Sequence, residues 1–302
     1  MKIIKSLKNT NLVFSIFIVL GFLIPDYARD LKILLIPALI TMMSFSLIKF
    51  KIKELDLKDF KSALILVGLN SFLFTAVHFV LAFLFIDNIL YRNAVIILGL
   101  MPPAVGIISL IYLVDADMNT GFIAELIGYI LSLIIIPVFT LMFFGEVVTL
   151  SKIFQIIVLV ILTPFFISRI ILYFRLNERI IPEDTTEIVV NLCYGLLFYI
   201  AIGVNIDVFF DNITGLIHLI FIFIFLRFGM FFIIYFLFRK RFPPAMIKLL
   251  TLFGSFKNGS AGMAITVLLF GIKAAVPYAI FSIVASFFII FLKWFLSMEQ
   301  LN

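Results

Sequence analysis

Only one cysteine, Cys193, occurs in 302 residues, and it lies inside an apolar run. A single thiol excludes an internal disulfide framework and a thiolate metal cluster, so Cys193 reads as a small packed side chain. Charge is scarce as well. Asp, Glu, Lys and Arg make up 13% of the chain, against about 25% in soluble domains. No hydrophilic stretch is long enough for a separate soluble domain, so residues 1–302 are expected to form one membrane domain. The two histidines, His78 and His218, have no ligand-spaced neighbours, and packing is the expected role of each. No glycine-rich nucleotide loop is present, which argues against ATP-driven work by this chain alone. No cofactor and no metal are expected. A lipid-modifying enzyme would need acids, histidines or a nucleophile gathered at one interface, and the sequence shows no such gathering.

What is abundant is apolar. Hydrophobic residues account for 64% of the chain and Phe occurs 39 times, where soluble domains hold about 45–50% apolar residues. A soluble core cannot hide that much surface, so the lipid bilayer is the expected solvent. The net charge of +6 sits in short connections between apolar runs, a pattern that belongs to membrane orientation rather than to nucleic acid. Lys2, Lys5 and Lys8 precede the first apolar run, but no small-residue cleavage site follows residues 20–25. That run is therefore expected to be a retained helix.

Crossing the hydrocarbon layer takes roughly 20 apolar residues. Ten segments qualify: 11–25, 32–50, 62–86, 93–114, 119–144, 153–174, 187–209, 215–238, 246–271 and 274–297. Alternate connections differ in basic charge. One side collects Lys2, Lys5, Lys8, Lys49, Lys51, Lys53, Lys58, Lys61, Arg175, Arg179, Arg239, Lys240 and Arg241, and the other Arg29, Lys32, Arg92, Lys152 and Lys273. The positive-inside rule then places both termini in the cytoplasm, in a multi-pass protein of the cell membrane.

Two of the ten spans are interrupted. The fourth contains Pro102-Pro103 followed by Gly106, and adjacent prolines remove two backbone donors and clash with the preceding turn. The ninth contains Gly254-Ser255-Phe256-Lys257-Asn258-Gly259-Ser260. Unpaired backbone survives at membrane depth only where it lines a cavity or is packed in protein. These spans are the fourth members of two five-helix halves, about 1–150 and 151–302. An odd number of helices per half makes the halves inverted. Breaks at equivalent places in inverted repeats point to a transporter's central site.

These residues resemble the bile acid:sodium symporter family, within the superfamily that also holds the auxin efflux carriers. The likeness rests on residues 101–109 (Met-Pro-Pro-Ala-Val-Gly-Ile-Ile-Ser), followed by Asp115 and Asp117. It also rests on residues 256–265 (Phe-Lys-Asn-Gly-Ser-Ala-Gly-Met-Ala-Ile), followed by Phe270-Gly271 and Pro277. The resemblance implies an all-α fold of ten helices with a panel and a core bundle. In such a fold broken helices four and nine cross at mid-membrane, beside a binding site for a small organic anion. Asn258 matches the family's ninth-helix asparagine, and Asn70 falls where the family has a glutamine ligand. Other ligand places have changed. A serine–asparagine pair is replaced by Ile107 and Ile108, a glutamate by Phe253, a glutamine by Lys257, and a fifth-helix threonine by Glu125. Most hard oxygen ligands for sodium are thus missing.

Lys257 stands too deep in its span to reach either interface, and a charge at mid-bilayer needs a partner. Glu125 is the expected partner, so that the ammonium takes the place of sodium and either group exchanges a proton. A permanent salt bridge that only fixes two helices is the other reading. Arg227, near the middle of the eighth span, has three readings. It pairs with Asp207, binds a substrate carboxylate through its planar fork, or reaches the cytoplasmic boundary. Arg169 is expected to extend to its nearby interface, and Asp115-Ala-Asp117 to form a solvated turn. The function expected is secondary active transport of small organic anions by alternating access, coupled to protons, with sodium coupling or auxin-type efflux as alternatives. Asn70, Pro102, Pro103, Glu125, Gly254, Ser255, Lys257, Asn258, Gly259 and Ser260 form the expected site. A non-transporting sensor or assembly subunit is the alternative of another class. It would call for a signalling extension, and the chain ends shortly after the tenth span.

Overall fold

The computed structural model describes residues 6–48, 57–104, 106–145, 148–176, 183–211 and 213–299. Of the basic residues that set the expected orientation, Lys2, Lys5, Lys49, Lys51, Lys53 and Arg179 lie outside these. The described residues are helical almost throughout. The helices are α1 (Thr10–Leu23), α2 (Asp26–Leu47), α3 (Phe60–Phe85), α4 (Ile89–Leu100), α5 (Ile107–Leu113), α6 (Met118–Phe144) and α7 (Leu150–Tyr173). They continue with α8 (Glu183–Val204), α9 (Ile206–Asp211), α10 (Thr214–Phe238), α11 (Pro244–Phe253), α12 (Gly259–Phe270) and α13 (Ile272–Leu292). Among the described residues seven helices are long and apolar enough to cross a membrane: α2, α3, α6, α7, α8 (from Thr185), α10 and α13. The chain is a polytopic helical membrane protein.

Helix α6 shows why lipid must be its solvent. Ile130, Ile134, Val138 and Met142 recur every fourth position and are exposed, while Glu125, Ser132, Ile136 and Thr140 on the other face are buried. A helix whose exposed stripe is as apolar as its buried one cannot stand in water. Phe83, Leu84, Phe85, Phe221, Phe236 and Leu237 are exposed in the same way on α3 and α10.

One expected boundary moves. Residues 26–32, read as a connection, are helical, and α2 starts at Asp26 directly after Pro25. The apolar pattern missed this turn because Arg29 and Lys32 interrupt it. Among the described residues, π-turns interrupt α3 at Leu69–Phe74, α7 at Val158–Leu162 and α10 at Phe225–Gly229. A π-turn carries one residue more per hydrogen-bonded loop and releases a backbone carbonyl for other partners.

Two compact units make up the chain. The first comprises Met1–Ile52, Thr140–Ile213 and Met263–Ala279. In it α8 packs along α1 and α2. Gly195 lets α8 close on Phe17, Gly203 lets it close on Ala28, and the Tyr199 hydroxyl donates to the Ile24 carbonyl (2.7 Å). Arg169 does not simply extend to an interface. Its guanidinium donates to the Leu47 carbonyl at the end of α2 (2.6 Å), where a cation complements the helix dipole. The second unit comprises Lys53–Phe139, Thr214–Gly262 and Ile280–Asn302. It holds α3, α4, α5, α10, α11, most of α6 and both helix interruptions. Each unit draws segments from both halves of the sequence.

Candidate functional site

Helix α4 ends at Leu100 because of the three residues after it. Met101 precedes a proline, which drives it out of the α region, and it is extended (φ −68°, ψ 149°). Pro102 and Pro103 supply no N–H, and helix resumes only at Ile107. The last carbonyls of a helix have no partner within it. Here three carbonyls at the end of α4 and just beyond it find partners elsewhere in the fold. The Thr75 hydroxyl donates to Gly99 O (2.7 Å), the Lys257 ammonium to Met101 O (2.9 Å), and the Asn258 backbone N–H to Pro102 O (2.9 Å).

The second interruption has the same form. Helix α11 stops at Phe253, and α12 begins at Gly259. Asn70, within the π-turn of α3, donates its amide to Phe253 O (2.6 Å) and to Phe256 O (2.9 Å). Arg227, within the π-turn of α10, donates to the Ser255 carbonyl. Asn258 caps α12. Its side-chain oxygen accepts from the Ala261 N–H (3.0 Å) and the Ser260 hydroxyl (2.8 Å), while its amide donates to the Tyr129 hydroxyl (2.7 Å). The two breaks therefore touch through Asn258, side chains of α3 and α10 satisfy loose backbone, and Tyr129 of α6 holds the Asn258 amide.

Lys257 is the centre of this arrangement. It is 1% exposed, and its ammonium donates to Asn70 O (2.8 Å), Asn70 Oδ1 (3.1 Å), Thr75 Oγ1 (3.1 Å) and Met101 O (2.9 Å). Four oxygens from three residues, on α3 and at the end of α4, form a cation cage, and the tip of a side chain fills it. The Phe74 ring lies 5.8 Å from the nitrogen. The Asn70 carbonyl is available because the π-turn begins there. The Met101 carbonyl is available because two prolines come directly after it.

The expected Lys257–Glu125 pair is not formed. Glu125 is fully buried on α6, and neither carboxyl oxygen has a hydrogen-bond partner. Lys257 instead gives its protons to two carbonyls beside the π-turn and the proline break and to the Asn70 and Thr75 side chains, partners that charge matching across spans does not reveal. Of the three readings of Arg227, the pair with Asp207 is not formed. In place of Asp207 it meets the Ser255 carbonyl and the faces of Phe256 and Phe281, each ring centroid 4.3 Å from its central carbon. Asp207 is exposed in the other unit.

Of the other expected site residues, Asn70, Pro102, Pro103, Ser255, Lys257, Asn258 and Ser260 are buried together around the breaks. The Ser255 hydroxyl, just past the end of α11, donates back to Thr251 O (2.6 Å). The glycines act by closeness. A Cβ on Gly254 would strike Ile234 at 2.0 Å, and one on Gly259 would strike Phe281 at 2.5 Å. His78 is buried, with Nδ1 against the Phe74 carbonyl at 2.8 Å, and His218 is exposed. Asp117 caps α6 by accepting from the Asn119 N–H and the Thr120 hydroxyl. Among the described residues no group of histidine, cysteine, aspartate and glutamate could hold a metal ion.

Sequence reasoning missed Thr75 and Tyr129. Thr75 lies five residues after Asn70, the spacing a π-turn brings together, but no single-sequence pattern announces that turn. Tyr129 had a visible signal. Gly121, Glu125, Gly128 and Tyr129 share one helical face, and a glycine-marked face predicts close packing.

No protein-family model matches this chain, and no curated protein sequence matches it.

Proposed function

We propose that this protein is a secondary transporter of small organic anions that works by alternating access. The seven long helices, α1, and the interrupted pairs α4–α5 and α11–α12 give ten spans in two inverted five-helix halves. Three features support that count. The breaks fall in the fourth and ninth spans, π-turns fall in the third and eighth, and the side chains of both π-turns serve the ninth-span break. Inverted repeats with discontinuous helices are how many transporters build a site at the membrane midplane.

The carrying observation is the contact of the two breaks around a caged ammonium. Broken helices at membrane depth serve a structural bundle poorly, and oxygens from separate segments gathered on one cation are how a coupling-ion site is made. In this chain the cation is covalent, so the sodium of the resembling family has no vacant place there. Two buried cations, Lys257 and Arg227, and the N-terminus of α12 favour a negatively charged substrate. Pairing with charges in the membrane interior is characteristic of substrate and ion pathways.

The test is a thermal-shift screen of small carboxylates on the purified protein at two pH values, with and without sodium. Carboxylates that stabilise the protein are then followed as labelled compounds in counterflow across proteoliposomes. The expected result is stabilisation and counterflow by a subset of carboxylates, indifferent to sodium. Failure of every carboxylate in both assays would remove the transport reading.

A further inference from the structure

Glu125 has no role in the Lys257 cage, and its surroundings are unusual. It is 0% exposed, and both of its oxygens lack a hydrogen-bond partner. An ionised carboxylate in that position would lose its hydration without replacement, a cost no buried site leaves uncompensated. A carboxylic acid would lose far less.

Its helix face is the one that meets both breaks. A Cβ on Gly121, one turn before Glu125, would lie 2.3 Å from Ile111 of α5 and 3.3 Å from Leu249 of α11. A Cβ on Gly128 would lie 3.0 Å from Pro103. Tyr129, one turn after Glu125, accepts from the Asn258 amide, and Asn258 both caps α12 and holds Pro102 O. Residues four apart on a helix face are neighbours, which places Tyr129 beside Glu125.

We infer that Glu125 is the site that binds and releases the coupling proton, reporting its state to the breaks through Tyr129 and Asn258, while Lys257 remains a fixed cation. This rests on the transport reading for its role, although the proton site itself can be tested separately. In the conformation described, Glu125 carries the proton. When the site opens to water on one side, the carboxyl O–H breaks and the proton leaves to that water. The carboxylate, an ionised and therefore stronger acceptor than a neutral oxygen, then draws the Tyr129 hydroxyl proton toward itself. Turning that hydroxyl changes the partner available to the Asn258 amide, the group that joins the two breaks.

Other titratable groups on the elements packed against α6 have partners, save the buried Nε2 of His78, which has none. Asp59, just before α3, accepts from the Asn119 amide (3.2 Å). His78 on α3 bonds Phe74 O, Lys248 on α11 donates to Asp115 O (3.2 Å), Lys257 fills its cage, and Asp117 caps α6. Asp115 and Tyr112 lie at the exposed end of α5.

Infrared titration of the purified protein decides the matter. Wild-type protein should show the carbonyl stretch of a buried, protonated carboxylic acid at neutral pH, and Glu125→Gln should lack it. Glu125→Asp should move the band if Glu125→Gln fails to fold. In Tyr129→Phe the ionised form loses its donor, so the band should persist to a pH about one unit higher, a tenfold change in proton affinity. In proteoliposomes Glu125→Gln should lose at least tenfold in accumulation driven by an inward proton gradient. A band that is absent from wild type, unaltered by both Glu125 substitutions, or indifferent to Tyr129→Phe would overturn the inference. If the wild type moves no carboxylate, the transport reading fails while the infrared result still assigns the proton.

Discussion

Lys257 offers three protons to four oxygens, and the nitrogen–oxygen separations of 2.8 to 3.1 Å are those of ordinary hydrogen bonds. The cage is therefore sized for an ammonium. Truncation by Lys257→Ala leaves buried acceptors without a donor, at about 1–3 kcal/mol for each group left unsatisfied. The same truncation opens a cavity with the right oxygens for a free cation. Lys257→Ala is expected to melt well below the wild type, and ethylammonium should raise its melting temperature while leaving the wild type unmoved. Equal responses of the two proteins would mean that the side chain does not fill a cation site. Asn70 holds the cage from the other direction. Asn70→Leu removes the donor to two carbonyls and an acceptor of Lys257 together, so its loss of stability should exceed that of a single unsatisfied group. A double-mutant cycle with Lys257→Ala should show coupling between the two, because they share one network.

The helices are arranged to bring these residues close. Gly99 allows α4 to lie against α3, since a Cβ there would come within 2.7 Å of the His78 Cβ. That atom is fixed to the backbone of α3 and cannot swing away. Gly99→Ala is expected to destabilise the protein by about 1–3 kcal/mol, read as a lowered melting temperature. A neutral result would show that α3 and α4 are looser than described. How far the sequence reveals this architecture varies with the kind of signal. The double proline at 102–103 and the polar, glycine-rich run at 254–260 mark both breaks, because each violates what lipid permits along a continuous helix. Asn258 is legible as a polar group in apolar surroundings, and Asn70 only through the resemblance to the symporter family. The π-turns were not legible, since residues 69–74 and 225–229 are compositionally ordinary apart from Asn70 and Arg227. Without the π-turns the carbonyl that Lys257 prefers to Glu125 could not be foreseen. Arg227 failed for a similar reason. Its partners are a backbone carbonyl and two phenylalanine faces, and charge complementarity points only to acids.

Across the whole molecule, apolar surface faces outward along the long helices and ionisable groups gather inside one unit. Desolvated cations are tolerated there because backbone oxygens surround one and aromatic faces flank the other. The ten-span reading requires both termini on the same side of the membrane. Reporter fusions at either end are expected to report the cytoplasm alike, and opposite reports would require an odd number of crossings. Coupling also belongs to this scale. On the proposed reading a cage already filled by Lys257 gives sodium no purchase, and a buried carboxyl without partners gives a proton one. The decisive measurement is uptake of a stabilising carboxylate into proteoliposomes under an imposed sodium gradient or an imposed proton gradient, each without the other. Accumulation above equilibrium under the proton gradient alone is the predicted result, and accumulation driven by sodium would contradict the account.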